Sequence, residues 1–418
     1  MTAALEVRFG AIVVGHLRVD GGGQFSFAYD ATWCTRDDRF AVSLTLPITP
    51  DEYIGGPART FFANLLPEGA VRQSVCARLG ISPDNDFALL QAIGGECAGA
   101  LSLIDPAQRS ADSEKFSYEE LEHVRLQHLV DDNAIPLLIG GPTTRLSLAG
   151  AQDKLPVAVL DGKLHLPLNA APSTHILKLP NSRYPHLPAN EAFAMGLAGK
   201  LGLEVAGCKL LTATDPPGLL VTRYDRIPSE DPWPVRRLHQ EDLCQATGLP
   251  STRKYEAEGG PTLARVITVI RDNVYRPLVD VPRVIEWQAY NLVLGNSDGH
   301  AKNLSIIYSD DGVRLAPLYD LVSTRQYRGL DRKLAMGVGG RRNPDEIGHA
   351  QWAKLGEELR ISERVVIEIV GKVAQRSLDA LAGWTREFRD SYGEQPILQV
   401  LPASIGKRAR RVLRALEA

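Results

Sequence analysis

The stretch from Val284 to Asp320 constrains this chain more than any other. Residues 284–294 place Ile285, Ala289, Leu292 and Val293 at the spacing of a buried helix face. Gly295 is a natural stop for that helix, because glycine takes the left-handed conformation at little cost. Residues 304–308 and 313–316 read as strands, and Asp311-Gly312 between them signals a hairpin turn. Asn296-Ser-Asp-Gly-His-Ala-Lys-Asn303 lies between helix and hairpin, and Pro317-Leu-Tyr-Asp320 follows the hairpin. The pattern predicts Asn303 and Asp320 at the hairpin's open end. Paired strands lie about 5 Å apart. Two oxygen-bearing side chains at that separation could share a Mg²⁺, a hard cation that prefers oxygen ligands.

Asp298 precedes Asn303 by five residues, and Asp320 lies 17 residues beyond Asn303. Protein kinases place a catalytic-base Asp and a metal-binding Asn at this first spacing, with a second metal-binding Asp further on. The bland reading is a polar loop with an Asx-turn and a helix cap. It explains one Asp more readily than the whole set on a hairpin.

Phosphoryl transfer also needs a cation at the nucleotide phosphates. Lys178, in the strand-like run 174–179, is the best candidate, although many strand lysines are only exposed edge residues. Glu191, at the start of the next helix, could pair with it; a first-turn acid favoured by the helix dipole is the simpler reading. The small-residue loop 147–154 matches neither a P-loop nor G-x-G-x-x-G. Thr222-Arg-Tyr224 ends an apolar strand and reads equally as a strand end or as a hinge facing adenine.

At 418 residues the chain suggests two domains or two large lobes. Its 44% hydrophobic and 23% charged residues are ordinary for a globular protein. A net charge of −3 gives no global reason for nucleic-acid binding. The basic runs 325–333, 341–342 and 407–414 read as solvated faces. Five scattered cysteines with no CxxC pair argue against a zinc or disulfide framework. Glu6 and Arg8 argue against a signal peptide, and no apolar run approaches a membrane span. The expectation is a cytoplasmic protein with no membrane partner.

Residues 1 to about 105 look mixed α/β, with a helix over 60–80. Residues 106–114 are a polar boundary. Ser117 and Glu120 form a capping-box pattern that predicts a helix over 116–131. Strands dominate 143–179, with Asp161-Gly162 as a second hairpin turn. Asn190 is expected to cap a helix running to about Lys200. After residue 236 the pattern is mostly helical. The division expected is therefore 1–106, 107–226 and 227–418.

Taken together, several segments resemble the HipA family of bacterial serine/threonine kinase toxins. They are Ser147-Leu-Ala-Gly-Ala-Gln-Asp-Lys154, His175-Ile-Leu-Lys178, Asn190-Glu191, Val221-Thr-Arg-Tyr-Asp-Arg226, His239-Gln-Glu-Asp-Leu-Cys-Gln245, Asn296 to Asn303, and Pro317-Leu-Tyr-Asp320. The front hundred residues, with Phe61 to Gly69 and Gly94-Gly95, resemble the family's N-terminal subdomain. The resemblance implies an α+β, two-lobed kinase-like fold, with a β-rich N-lobe, an extra N-terminal subdomain and a mostly helical C-lobe. It implies Asp298 as catalytic base and Asn303 and Asp320 as Mg²⁺ ligands. It implies ATP contacts from Ala149, Gly150, Ala151, Gln152, Lys154, Lys178, Thr222, Tyr224 and His300. Ser147 would be the autophosphorylation site whose modification switches the kinase off. The implied partners are a HipB-like helix-turn-helix antitoxin, operator DNA mainly through that antitoxin, and an aminoacyl-tRNA synthetase as target, with persistence as the outcome. Thr222 replaces an acid, and Asp153 a Glu, found in other members; neither touches the catalytic set.

Two rival readings differ in chemistry. A metal-dependent phosphoesterase could use Asp298, His300, Asn303 and Asp320, but dinuclear hydrolases usually gather several histidines, and most of the nine here stand alone. A pseudokinase acting only as a repressor partner conflicts with the intact Lys178, Asp298, Asn303 and Asp320.

Overall fold

A computed structural model describes residues 3–108, 116–131, 154–180, 183–212, 214–229 and 235–417. The chain divides into two compact units. The first comprises 1–179, 221–251 and 307–309, and the second 180–220, 252–306 and 310–418. Strands dominate the first and helices the second, so the fold is α+β, as the sequence indicated.

In the first unit, β1 (Ala3–Phe9), β2 (Ile12–Val19), β3 (Phe25–Tyr29), β4 (Tyr53–Ile54) and β5 (Leu101–Ile104) form one sheet in the order β4-β3-β2-β1-β5. Leu5 faces Leu17 across β1 and β2, and both are fully buried, as period-2 alternation requires. The helix Gly56–Ala63 packs Phe62 against Phe27, ring centres 5.4 Å apart. The single helix expected over 60–80 is two, Gly56–Ala63 and Gly69–Leu79. Pro67 between them cannot supply the N–H that a continuous helix needs.

A second sheet holds β6 (Ser117–Glu120), β8 (Lys163–Leu168), β7 (Lys154–Leu160) and β9 (His175–Lys178), neighbours in that order, with β11 (Gly218–Thr222) beyond β9. The capping-box reading of Ser117 fails: it lies in a strand opposite Leu168, and the helix begins at His123. Pairing along β8 outweighed the local helix signal.

The first unit buries a group of charges. Glu96 is fully buried and accepts from Arg223 Nη1 at 3.1 Å, Arg226 Nη2 at 2.8 Å and Ser173 Oγ at 2.9 Å. Arg237 pairs with its second oxygen. Asp225 joins Arg223 at 2.7 Å and accepts from the Gly99 N–H at 2.7 Å. Arg226 in β12 (Arg226–Pro228) stands opposite Arg237 in β13 (Val235–Arg237). Like charges in that position normally repel; here both point to one carboxylate. Burial pushes the Glu96 and Asp225 carboxyls up, but the facing arginines outweigh it and hold both below the ordinary range.

Glu241, in β14 (His239–Asp242), is another buried acid of this unit. It accepts from Ser43 Oγ at 2.6 Å, Leu44 N at 2.9 Å and the Tyr308 hydroxyl at 2.6 Å. Burial outweighs these three donors and pushes its pKa up to about 7.

In the second unit, helices Leu187–Lys200, Leu263–Asn273, Pro277–Leu294, His349–Leu359, Glu363–Tyr392 and Leu401–Glu417 surround Phe193, Trp287, Tyr290, Trp352 and Phe388. β15 (Ser305–Ser309), whose last three residues count with the first unit, and β16 (Gly312–Leu315) form the expected hairpin. Buried Asp280 pairs with Arg314 Nε at 2.9 Å and accepts from the Leu315 N–H at 3.2 Å, fixing β16 against the helix Pro277–Leu294. Asn190 is not a helix cap; it lies buried inside Leu187–Lys200, whose N-cap is His186. Among the described residues no helix is long and apolar enough to cross a membrane.

Two stability outcomes follow from the buried charges. Glu96→Ala leaves the arginines around a missing anion and should cost about 3–5 kcal/mol, read as a lower urea midpoint. Glu241 has its folded pKa raised from 4.5 to about 7, so its contribution is fully present below about pH 4.5 and is lost as pH rises through 7. The melting temperature of Glu241→Gln minus that of the unsubstituted chain should therefore increase between pH 5 and pH 8.

Candidate active site

The helix Pro277–Leu294 ends at Gly295, whose φ of 68° is left-handed and whose N–H bonds back to the helix. A Cβ there would lie 2.7 Å from Arg325 Cγ and 2.8 Å from Arg408 Nε, so glycine is needed for space as well as for conformation. The last carbonyls of a helix lack intrahelical partners, and here side chains supply them. Arg408 donates from Nε to Val293 O at 2.8 Å and from Nη2 to Leu294 O. Ser323 Oγ donates to Leu294 O at 2.7 Å, and Thr324 Oγ1 to Gly295 O at 3.1 Å. Arg408 also places a cation at the negative end of the helix dipole. Asn190 fixes Ser323 in turn, accepting its N–H and donating to its carbonyl, each at 3.0 Å.

The loop after Gly295 is hydrogen-bonded at nearly every step. Asn296 Nδ2 donates to Asn291 Oδ1 at 2.9 Å, and Asn296 Oδ1 accepts from the Asp298 N–H at 3.0 Å. The Asp298 carbonyl accepts from His300 N at 2.9 Å and Asn303 Nδ2 at 3.0 Å. A Cβ on Gly299 would lie 2.7 Å from Asn291 Nδ2, so a side chain there would displace the loop. Asp298 Oδ1 accepts a hydrogen bond from the Tyr255 hydroxyl.

The hairpin brings Asp320 to the same end of this unit. Ala316 N donates to Ser305 O at 2.9 Å, and the Tyr319 hydroxyl bonds Ser305 Oγ at 2.6 Å and Lys302 O at 2.8 Å. Asp320 has a φ of 55°, uncommon for a residue other than glycine. Asn303 commits its amide nitrogen to the loop, which leaves its amide oxygen as a donor to a cation. That oxygen and the Asp320 carboxylate suit Mg²⁺, which is held by one or two protein oxygens together with phosphates and water. Among the described residues no three His, Cys, Asp or Glu side chains converge on one point, as a dinuclear hydrolase centre would require.

His300 is buried, and its ring stands edge-on to Tyr255 at 5.1 Å. Burial, then the Lys254 cation, pushes its pKa down to about 3 against the opposing pull of Asp320. It is an uncharged ring at neutral pH, and among the described residues its Nδ1 has no hydrogen-bond partner. The second unit thus brings Asp298, His300, Asn303 and Asp320 together.

The remaining candidates lie elsewhere. Lys178, buried at the end of β9, stands directly opposite half-buried Lys154 in β7, so the first unit sets two ammonium groups on one sheet face. Thr222 is exposed at the end of β11, and the Tyr224 hydroxyl donates to Gln240 Oε1. Between them Arg223 points into the buried charge group. Ser147, Ala149, Gly150, Ala151 and Gln152 lie outside the described residues.

Sequence reasoning missed Tyr255, Arg408 and the Asn190–Ser323 pair. Tyr255 lies in a polar stretch without periodicity. Arg408 lies in a basic run whose pattern is that of a solvated helix face.

Comparison with known proteins points one way. Residues 5–104 match the HipA N-terminal domain, and residues 146–381 match the HipA-like C-terminal domain. Y4mE of Sinorhizobium fredii, which bears a kinase name, is 37% identical over 414 residues, 98% of each chain. The serine/threonine-protein kinase toxin HipA of Shewanella oneidensis is 30% identical over 396 residues, 91% of this chain and 89% of that protein. The solved complex of Shewanella oneidensis HipA, HipB and operator DNA superposes with a TM-score of 0.84 at 26% identity, covering 99% of this chain and 98% of that one.

Arg408→Ala should remove the side-chain donor of Val293 O and leave Leu294 O to Ser323 alone. The expected loss is about 1–3 kcal/mol, seen as a lower melting temperature. Arg408→Lys should recover only part of it, since one ammonium cannot reproduce the guanidinium fork.

Proposed function

The chain belongs to the HipA kinase family, and from that premise we propose that it is an ATP- and Mg²⁺-dependent serine/threonine protein kinase, the toxin of a HipBA-type system. The observation that carries the reading is the second unit's loop. Asp298 sits five residues before Asn303, whose amide nitrogen bonds back to the Asp298 carbonyl, and Asp320 is brought to the same hairpin end.

In this reading Asp298 accepts the proton of the acceptor hydroxyl. Asn303 and Asp320 hold Mg²⁺, which when bound neutralises charge on the transferring phosphate. Lys178 and Lys154 hold ATP phosphates, and the loop 147–154 covers them. Residues 222–224 face adenine through backbone groups, which fits the commitment of the Tyr224 hydroxyl to Gln240. His300, an uncharged ring, lines the nucleotide side. Ser147 receives a phosphate that empties the cradle, because its added charge of about −1.5 to −2 repels the ATP phosphates.

The partners proposed are a HipB-like antitoxin, with operator DNA reached mainly through it; the Shewanella complex contains HipA, HipB and operator DNA. The target proposed is an aminoacyl-tRNA synthetase, phosphorylated in the cytoplasm so that translation stalls and persistence follows. The division into 1–106, 107–226 and 227–418 goes with this scheme, its first boundary close to the end of the HipA N-terminal match at residue 104.

Phosphoproteomics after induced expression tests the reading, the unsubstituted chain against Asp298→Asn. A positioned base is worth about 10²–10⁴ in rate. Asp298→Asn should therefore bind Mg-ATP normally, transfer no phosphate at a measurable rate and leave growth unaffected. Full activity in that variant would remove Asp298 from the role.

A further inference from the structure

We propose that the exposed loop 328–333 docks the acceptor protein and selects acceptors whose phosphorylated hydroxyl is flanked by acidic residues. The inference rests on the reading of this chain as a protein kinase. It names the chemistry of the substrate, which no motif of the candidate site records.

The loop reads Arg-Gly-Leu-Asp-Arg-Lys, so three cations stand against one acid. Arg328, Arg332 and Lys333 are exposed. Among the described residues, none of the three makes a side-chain hydrogen bond or an ion pair. Asp331 is turned to its own backbone, where it accepts from the Lys333 N–H at 3.1 Å. Other exposed cations of the second unit do meet acids: Lys372 joins Glu368, Lys200 joins Glu387 and Arg389 joins Glu394. The positive charge of the loop is left uncompensated.

Its position separates it from an ordinary solvated face. Both ends are tied to elements that carry the base. At the front, the Thr324 hydroxyl meets the Ser297 N–H at 2.8 Å and the Ser297 hydroxyl at 2.7 Å, next to Asp298. The Arg325 N–H donates to Gly295 O at 3.3 Å. The Tyr327 hydroxyl accepts from Asn190 Nδ2 at 3.2 Å, and its ring stands edge-on to Tyr184 at 5.3 Å. At the back, Leu334 N donates to Arg342 O at 2.8 Å, and Gln288 of the helix Pro277–Leu294 holds Met336 O at 2.7 Å. Between these anchors Gly329 has a φ of 86°, and a Cβ on it would meet no atom within 4 Å. The tip of the loop is therefore open to solvent.

Arg328 lies four residues beyond Thr324. A chain spans at most about 3.6 Å per residue, which keeps the two Cα atoms within roughly 14 Å. An extended acceptor segment advances about 3.3 Å per residue, so the loop meets side chains about four positions from the hydroxyl at Asp298. Single exposed ion pairs contribute little, because water screens them and both side chains lose freedom. Their effect here is on encounter and choice. A fixed positive edge raises the local concentration of an acidic segment and repels a basic one. Anchoring at both ends presents the three cations together, with the backbone already ordered. Each guanidinium matches the fork of a carboxylate. The contacts are the same before and during transfer, so the selection acts on KM rather than on kcat.

The test uses the full chain and three peptides of equal length, each with one central serine flanked on both sides by Glu, by Gln or by Lys. Phosphate transfer from radiolabelled Mg-ATP gives kcat and KM at low and at high salt, with ATP affinity by calorimetry and melting temperature alongside. The Glu-flanked peptide should be preferred to the Gln-flanked one by about tenfold in kcat/KM, through KM, and the preference should shrink at high salt. The combined variant Arg328→Gln, Arg332→Gln, Lys333→Gln should lose the preference, with ATP affinity and melting temperature unchanged. Arg328→Glu, Arg332→Glu, Lys333→Glu should move it to the Lys-flanked peptide. Equal use of the Glu- and Gln-flanked peptides by the unsubstituted chain would overturn the proposal. A preference that survives the combined Gln variant would overturn it too, as would self-phosphorylation with no transfer to any of the peptides. Weaker ATP binding in the Gln variant would assign the cations to the nucleotide instead. A labelled DNA duplex is followed by fluorescence anisotropy: binding that the Gln variant loses, with no peptide preference, would assign them to nucleic-acid phosphates. If the unsubstituted chain transfers no phosphate at all, even to itself, the kinase reading fails, an outcome distinct from a missing preference.

Discussion

Carbonyl oxygens at the end of a buried helix must find donors, and in this protein that demand organises the site. Val293, Leu294 and Gly295 present theirs where the chain leaves the helix. The donors come from Arg408 in the last helix and from Ser323 and Thr324 just past Asp320. Thr324 also bonds the Ser297 N–H at 2.8 Å. The same few bonds therefore close the helix, start the polar loop and anchor the segment after the hairpin. Asn190 adds a fourth element by gripping Ser323. Asp298, Asn303 and Asp320 are held in mutual register by groups that take no part in their chemistry.

What was legible in the sequence was what local chemistry dictates. Asp161-Gly162 is a tight turn because both residues accept positive φ; the second turn falls one residue earlier than expected, on Asp310-Asp311, with Gly312 (φ 113°) opening β16, and Gly295 stops its helix by the same freedom of glycine. The set Asp298, His300, Asn303 and Asp320 was readable because its spacing is short and its neighbours are strongly patterned. The failures have a common cause. Ser117 and Glu120 have the pattern of a helix start, yet their segment pairs with β8. Asn190 looks like a cap, yet its amide serves a carbonyl 133 residues away. Tyr255 and Arg408 act on partners that no local window contains. Long-range satisfaction of polar groups leaves no periodic trace in a single sequence.

The buried acids of the first unit show how partner charge, rather than depth, decides ionisation. Glu96 and Glu241 are both inaccessible to water. Glu96 meets arginines, which hold its carboxyl below the ordinary range, whereas Glu241 meets two hydroxyls and one amide, and burial pushes its pKa up to about 7. The first acts as a permanent electrostatic tie. The second changes its proton occupancy within the range of ordinary cellular pH.

The charge group around Glu96 also has a meaning in time. Arg223 lies 127 residues after Glu96. At about 5–20 residues per second, translation separates the two by on the order of ten seconds. Throughout that interval the emerging front segment holds a carboxylate whose counter-charges do not yet exist, so burying it ionised is costly. Its native ion pairs form only after Arg223, Arg226 and Arg237 have been made. The charge group of the front segment is thus completed by a much later part of the same message.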